Sequence, residues 1–251
     1  MYSHVQLNDL FDGPVQPKLF LDFDGTISQI DVIDAILEKF ADSRWRETED
    51  EWLNGNIGSR ECLEKQFSYV RATQGDLFQF VDTLNIDEGF RSVLKFCRKA
   101  NLSLHIISDG FEEYIRRMLG RYISDPFEMK RITISANSLV SVNKDRWDTL
   151  FPYFEKACTD GCATCKPAVM RSHNPFSATT VFVGDGLSDG FAARTADIVF
   201  AKSKLADYCR KNSIPHIDYR GLAQVAETLE VARKSIAMRI PDHSISWSEA
   251  V

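Results

Sequence analysis

The stretch Lys18-Leu19-Phe20-Leu21-Asp22-Phe23-Asp24-Gly25-Thr26-Ile27 decides the reading of this 251-residue chain. It is an apolar run that ends abruptly in two carboxylates, a glycine and a hydroxyl. A continuous apolar run bounded by a turn residue reads as a buried parallel strand, and in open α/β sheets ligands bind in the crevice beyond the ends of such strands. Residues two apart in a strand face the same side, so Asp22 and Asp24 converge on one small ligand while Gly25 lets the backbone turn closely around it. Paired carboxylates split their protonation, one staying ionised and one able to hold a proton. That combination suits a nucleophile beside a general acid.

Two further apolar runs end the same way. Leu102 to Ile107 leads into Ser108-Asp109-Gly110, and Thr179 to Val183 leads into Gly184-Asp185-Gly186-Leu187-Ser188-Asp189. Between them, Cys165-Lys166-Pro167 places a lysine at an expected helix start. The order along the chain is acid pair, hydroxyl, lysine, acid pair. Asp189 also precedes a helical pattern at Gly190-Phe191-Ala192-Ala193, where it reads equally as an N-cap.

In these motifs, from about Lys18 to about Ile217, the chain resembles the haloacid dehalogenase-like hydrolase superfamily. The resemblance implies a Rossmann-like α/β core, a parallel sheet with helices on both faces, and magnesium-dependent hydrolysis of a small phosphomonoester through an aspartyl phosphate. It assigns Asp22 as nucleophile, Asp24 as general acid and then base, and Lys166 as the fixed ammonium. Ser108 and the Gly110 N–H are assigned to phosphate oxygens. Mg2+ is assigned to Asp22, Asp24 through its carbonyl, Asp185, and Asp189 through a water. Clustered acids cannot accept a phosphate dianion without cations, and hard oxygen donors favour magnesium.

Within the superfamily, a helical insertion after the first motif resembles the phosphoserine phosphatase-like branch. Ser108-Asp109-Gly110-Phe111 and the cysteine-rich approach to Lys166 resemble the 2-hydroxy-3-keto-5-methylthiopentenyl-1-phosphate phosphatases. Phosphoserine or another small metabolite remains an alternative substrate. A different class, a phosphorylatable signalling module of the receiver type, also clusters acids, a hydroxyl and a lysine. The large insertion and the chain length speak against it.

Helical spacing predicts a cap over residues 30–86: Val32, Ile33, Ile36, Leu37 and Phe40 recur on one face, and Ser59 is the expected N-cap after a turn at residues 54–58. Residues 1–29 and 87–238 form the expected core, and 239–251 a polar tail. Arg60 is the expected substrate contact from the cap, with Asp31, Arg44, Arg46 and Arg71 behind it. Core elements are expected as helices near 91–100, 111–119, 206–211 and 222–237, with short strands at 131–135, 197–201 and 214–217.

Net charge of −6 and a pI near 5.4 give no basic face for nucleic acid. No stretch is apolar enough for a membrane span and the start lacks a signal-peptide pattern, so a cytoplasmic protein is expected, with oligomeric state unassigned. Six cysteines do not form an evident disulfide framework. Cys158, Cys162 and Cys165 have plausible zinc spacing with His173, although reduced thiols shaping the Lys166 loop are the preferred reading.

Overall fold

A computed structural model describes residue 7, residues 9–158 and residues 160–237. A seven-stranded sheet runs in the order β4-β3-β2-β1-β5-β6-β7. The strands are β1 (Lys18–Leu21), β2 (Leu104–Phe111), β3 (Ile132–Ser141), β4 (Trp147–Leu150), β5 (Thr180–Gly184), β6 (Ile198–Ala201) and β7 (Ile217–Asp218). All neighbours pair in parallel except β4, which runs antiparallel to β3.

Alternate residues of the central strands feed two separate cores, one on each sheet face. Leu19, Leu21, Val181, Val183, Ile198 and Phe200 pack into the larger one. Their neighbours Phe20, Phe182, Val199 and Ala201 pack into the other. A period of two with both faces apolar is the pattern of a sheet covered by helices, which explains the continuous apolar runs in sequence.

Between β1 and β2 the chain makes four helices before the core resumes: α1 (Val32–Phe40), α2 (Trp45–Leu53), α3 (Ser59–Ser68) and α4 (Gln74–Val81). Asp31 caps α1 by accepting from the Asp34 N–H, and Thr73 with Asp76 closes a capping box on α4. The entry and exit of this insert run side by side. Ser28 bridges Ile86, and the Asp87 N–H donates to the Ile27 carbonyl at 2.8 Å.

The remaining helices are α5 (Phe90–Ala100), α6 (Glu112–Tyr122), α7 (Pro126–Met129), α8 (Lys166–Ser172), α9 (Gly190–Thr195), α10 (Ser203–Lys211) and α11 (Leu222–Ala237). Helix α5 buries Phe90, Val93, Leu94 and Cys97, one face at helical spacing, and ends at Asn101 in the left-handed region with φ +52°.

Several boundaries differ from the sequence reading. Strand β3 runs six residues past Ser135, and β4 is an added edge strand whose weak signal is a four-residue alternation of buried Trp147 and Thr149 with exposed Asp148 and Leu150. Helix α10 starts at Ser203, directly after β6, and the last strand falls at 217–218 instead of 214–217. Ser59 is the first residue of α3 and Gly58 its N-cap. The tail expected at 239–251 lies outside the described residues.

Candidate active site

Strand β1 is flanked by β2 on one side and β5 on the other, so the chain departs in opposite directions around it. The crevice beyond the ends of these three strands is the topological switch point. The structure brings Asp22, Asp24, Ser108, Gly110, Lys166, Asp185 and Asp189 to it.

Asp22 follows β1 directly and is only 5% exposed. Lys166, 2% exposed at the start of α8, places Nζ 2.7 Å from Asp22 Oδ1 and 2.5 Å from Asp189 Oδ1. Burial alone would depress the ammonium, but Asp189 and Asp22 outweigh it and hold Lys166 protonated well above its ordinary range. Burial pushes the Asp22 carboxyl up, the Asp189 charge adds to this, and Lys166 opposes both.

Asp22, Asp185 and Asp189 offer carboxylate oxygens within 4.8 Å of one another. Three hard donors at that spacing, against one fixed ammonium, fit a divalent cation such as magnesium. Burial and the Asp189 charge raise Asp185 to about 6, while a hydrogen bond from Thr26 Oγ1 at 2.7 Å opposes the rise. Gly25 has φ +72°, and a Cβ there would run into the Asp185 carboxylate. The turn that brings the acid pair to the crevice therefore needs glycine at this position.

Asp189 occupies the N-cap position of α9, as the alternative reading expects, but its side chain makes no capping hydrogen bond to that helix. Its Oδ2 accepts from the Asp185 and Gly186 N–H groups, both at 3.0 Å, and its Oδ1 takes Lys166. The side chain is turned back under the loop.

Asp24 is held by donors on several elements. Val32 N–H at the start of α1 donates to Oδ1 at 3.1 Å, Ser108 Oγ donates to Oδ2 at 3.0 Å, and the Tyr114 hydroxyl donates to both oxygens at 3.2 and 3.0 Å. Burial still raises its carboxyl to about 6, with Tyr114 the largest opposing contribution. A carboxyl in that range can give and take a proton near neutrality.

The Gly110 N–H donates to Ser108 Oγ at 2.8 Å, so the expected phosphate donors Ser108 and Gly110 are in contact with each other and with Asp24. A Cβ on Gly110 would strike Tyr114, Asp24 and Ser108. The tip of β2 is tied to the lysine loop: Thr164 N–H donates to Asp109 Oδ1 at 2.9 Å and Thr164 Oγ1 to the Ser108 carbonyl at 2.9 Å.

Tyr114 and Thr164 lie outside the motifs read from sequence, while Thr26 and Asp109 lie within them without an assigned role. Tyr114 carried the one usable signal, a polar ring six residues after Ser108 on the expected helix.

The insert leans on the same loop. Arg60 N–H donates to the Gly161 carbonyl at 3.0 Å, and Ala163 N–H donates to Ser59 Oγ at 2.8 Å. The Arg60 side chain points elsewhere: its guanidinium lies 4.5 Å from the Phe154 ring centroid and 3.7 Å from Glu64. Arg60 is not among the residues that line the cavity, so its side-chain placement lends no support to the expected substrate contact. His173 stacks near His105, ring centroids 4.9 Å apart. Cys158 and Cys162 are in contact, sulfur to sulfur 3.5 Å, but among the described residues the ligand-spaced group is the aspartate trio and does not include the cysteines.

Between core and insert lies a cavity of about 220 Å³, with Asp22, Asp24 and Asp185 on its floor and residues of α1, α2 and α3 above. Among the described residues, no helix is long and apolar enough to cross a membrane.

Comparison with known proteins adds the evolutionary context. The chain is similar to the 2-hydroxy-3-keto-5-methylthiopentenyl-1-phosphate phosphatase of Brevibacillus brevis, 29% identical over 221 residues that cover 87% of this chain and 97% of the relative. The same-named protein of Geobacillus thermodenitrificans is 29% identical over 218 residues, 86% of this chain and 96% of that one. Among solved structures, a substrate-bound phosphoserine phosphatase shares the fold with a TM-score of 0.66 at 17% identity, covering 85% of this chain and 98% of the other. The sequence profile described as haloacid dehalogenase-like hydrolase matches residues 19–194, and the chain belongs to that family.

Proposed function

We infer that the chain is a magnesium-dependent phosphatase that hydrolyses a small phosphomonoester through a phosphorylated Asp22. The observation that carries this reading is the Lys166 bridge between Asp22 and Asp189 at the end of β1, with the Asp24 carboxyl, raised to about 6, two residues beyond the nucleophile. Family membership and relatives named as phosphatases support it.

Each residue then has a task. An Asp22 oxygen attacks phosphorus and the bond to the ester oxygen breaks, while Asp24 gives its proton to the departing alkoxide. Water next attacks the aspartyl phosphate, Asp24 takes the water's proton, and inorganic phosphate and free Asp22 result. Lys166 neutralises the charge that gathers on Asp22 and the transferring oxygens. Ser108 Oγ and the Gly110 N–H are the donors for the phosphate oxygens. Magnesium would be held by Asp22, Asp185 and the Asp24 carbonyl, with Asp189 reaching it through a water, and would supply the remaining positive charge that lets a dianion enter.

Asp31 belongs to the same cavity, and the helical insert of residues 30–86 is the proposed cap that closes over the phosphate. Release of nitrophenol from p-nitrophenyl phosphate with and without magnesium tests the reading directly. Metal-dependent multiple turnover is expected from the wild-type chain. A protein that took up one phosphoryl group on Asp22 and held it without turnover would instead be the signalling module.

A further inference from the structure

The cavity above the catalytic floor has a charge pattern of its own. From the insert, Asp34 on α1 and Glu49 and Trp52 on α2 face into it, with Asp31 at the entrance to α1. Glu49 and Trp52 are three residues apart on one helix and therefore share a face. Among the described residues, the one lysine that lines the cavity is Lys204, at the start of α10, and no arginine lines it.

Every arginine of the insert is committed elsewhere. Arg44 pairs with Asp42 at 2.9 Å, Arg46 with Glu38, and Arg60 with Glu64, while Arg71 donates to the Ser68 and Val70 carbonyls at 2.8 and 2.7 Å. The site thus lacks the planar fork by which proteins hold a second carboxylate. Beyond the catalytic set it offers four carboxylates, Asp31, Asp34 and Glu49 from the insert and Asp109 from β2, against one ammonium.

Glu49 is a placed group and not a freely solvated one. Gln66, 1% exposed on α3, donates to Glu49 Oε2 at 2.9 Å, and the buried Cys62 thiol lies 3.9 Å from the same oxygen. Both donors reach Oε2 from the α3 side. A buried amide holding a cavity-lining carboxylate is the arrangement of a recognition residue. The insert acids are too dispersed to form a second metal centre, since the ligand-spaced group among the described residues is Asp22, Asp185 and Asp189. Spread acids beside an indole face instead suit a cation of molecular size.

We propose that the leaving alcohol carries a cationic nitrogen, received by Glu49 and Asp34 with Trp52 as the aromatic wall, so that the substrates are phosphorylated amino alcohols. This rests on the phosphatase reading and concerns only the alcohol. It excludes phosphoserine as the preferred ester, because its carboxylate would meet acids without an arginine. It also departs from the uncharged hydroxyketone alcohol in the name of the curated relatives.

The test compares kcat/KM of the full chain, with magnesium, on O-phosphoethanolamine, phosphocholine, O-phosphoserine, glycerol 3-phosphate, 2-hydroxy-3-keto-5-methylthiopentenyl-1-phosphate and p-nitrophenyl phosphate. At least one of the first two is expected to exceed every other alkyl ester by about tenfold or more. Glu49→Gln, which keeps an amide partner for Gln66, is expected to lower the ratio of kcat/KM for that ester over p-nitrophenyl phosphate by about tenfold or more, and Asp34→Asn to lower it in the same direction. Preference for phosphoserine, glycerol phosphate or the hydroxyketone ester overturns the proposal, as does an unchanged ratio in both variants. Hydrolysis of p-nitrophenyl phosphate without any cationic preference removes the proposal and leaves the phosphatase reading standing; no hydrolysis of any ester removes both.

Discussion

The floor of the cavity and its helical roof are built from similar residue types and behave in opposite ways. On the floor, Asp22, Lys166 and Asp189 are each nearly excluded from solvent and locked to one another. On the roof, Arg44, Arg60 and Lys65 are 41–61% exposed and pair with neighbouring acids along the surface. Burial and close charges shift the protonation of Asp22 and Lys166 strongly and the buried contacts leave no slack in geometry, whereas exposed pairs contribute about 0–1 kcal/mol and tolerate change. A charged residue matters here according to which side of the cavity it stands on and whether it is held.

The sharpest break in that comparison comes from Asp22→Asn. It keeps side-chain size but removes the attacking charge and one partner of Lys166, and turnover is expected to fall by at least about a thousandfold. Steady-state hydrolysis of p-nitrophenyl phosphate, with circular dichroism to confirm folding, reads this out. A folded variant with near-normal turnover would remove Asp22 as nucleophile.

Asp24→Asn should cost less, about a hundredfold or more in kcat, because general acid–base assistance is lost while the nucleophile remains. The carboxamide oxygen still accepts from the Val32 N–H, and the Ser108 and Tyr114 hydroxyls can turn to accept from the new NH2, so the tip of β2 should hold its place. Its loss should shrink for esters with good leaving groups, which need little protonation on departure. Equal losses on nitrophenyl and alkyl esters would point to displaced geometry and not to proton transfer.

Much of the floor was legible in sequence because strand-end motifs are local: Asp22, Ser108, Lys166 and Asp185 each sit directly after or between apolar runs whose period gives the strand. What was not legible depends on contacts between distant segments. Tyr114 reaches Asp24 across ninety residues of sequence, and Thr164 reaches Ser108 across fifty-six. The roof was legible as helices but not as a surface. Periodicity shows which face of α3 is buried, yet it cannot show that the Arg60 side chain turns towards Phe154 while Glu49 of the preceding helix turns inward. Strand β4 was missed for a related reason: a four-residue alternation at a sheet edge has no period long enough to detect.

Burial in the core also sets a stability term away from the chemistry. His105 on β2 is 7% exposed, and neither ring nitrogen has a hydrogen-bond partner. Burial first, then neighbouring His173, lowers its pKa from 6.5 to about 4. The unfolded chain therefore binds a proton before the folded one does. Its contribution is absent above about pH 6.5, grows more destabilising as pH falls, and is complete below about pH 4. His105→Phe removes the titration and should gain about 2 kcal/mol relative to wild type on moving from pH 7.5 to pH 5, read from urea midpoints and slopes at each pH. A constant difference between the two proteins across that range would show that His105 titrates normally.

The smallest effect is expected where the sequence reading looked for a large one. Arg60 is charged, lies on the insert and stands beside the active-site loop, but only its backbone N–H reaches that loop, donating to the Gly161 carbonyl. Its guanidinium spends itself on the Phe154 ring and on Glu64, both outside the cavity, with the side chain 41% exposed. Arg60→Ala keeps the backbone hydrogen bond and removes an exposed pair and one ring contact, together about 1 kcal/mol of stability. Its kcat/KM should stay within about twofold of wild type on every ester, since nothing it loses touches the substrate in the ground state or the transition state. Glu49→Gln, a milder change on the neighbouring helix, should do more. A selective loss on one ester in the Arg60 variant would reverse the two residues' roles and place the recognition surface on α3 instead of α2.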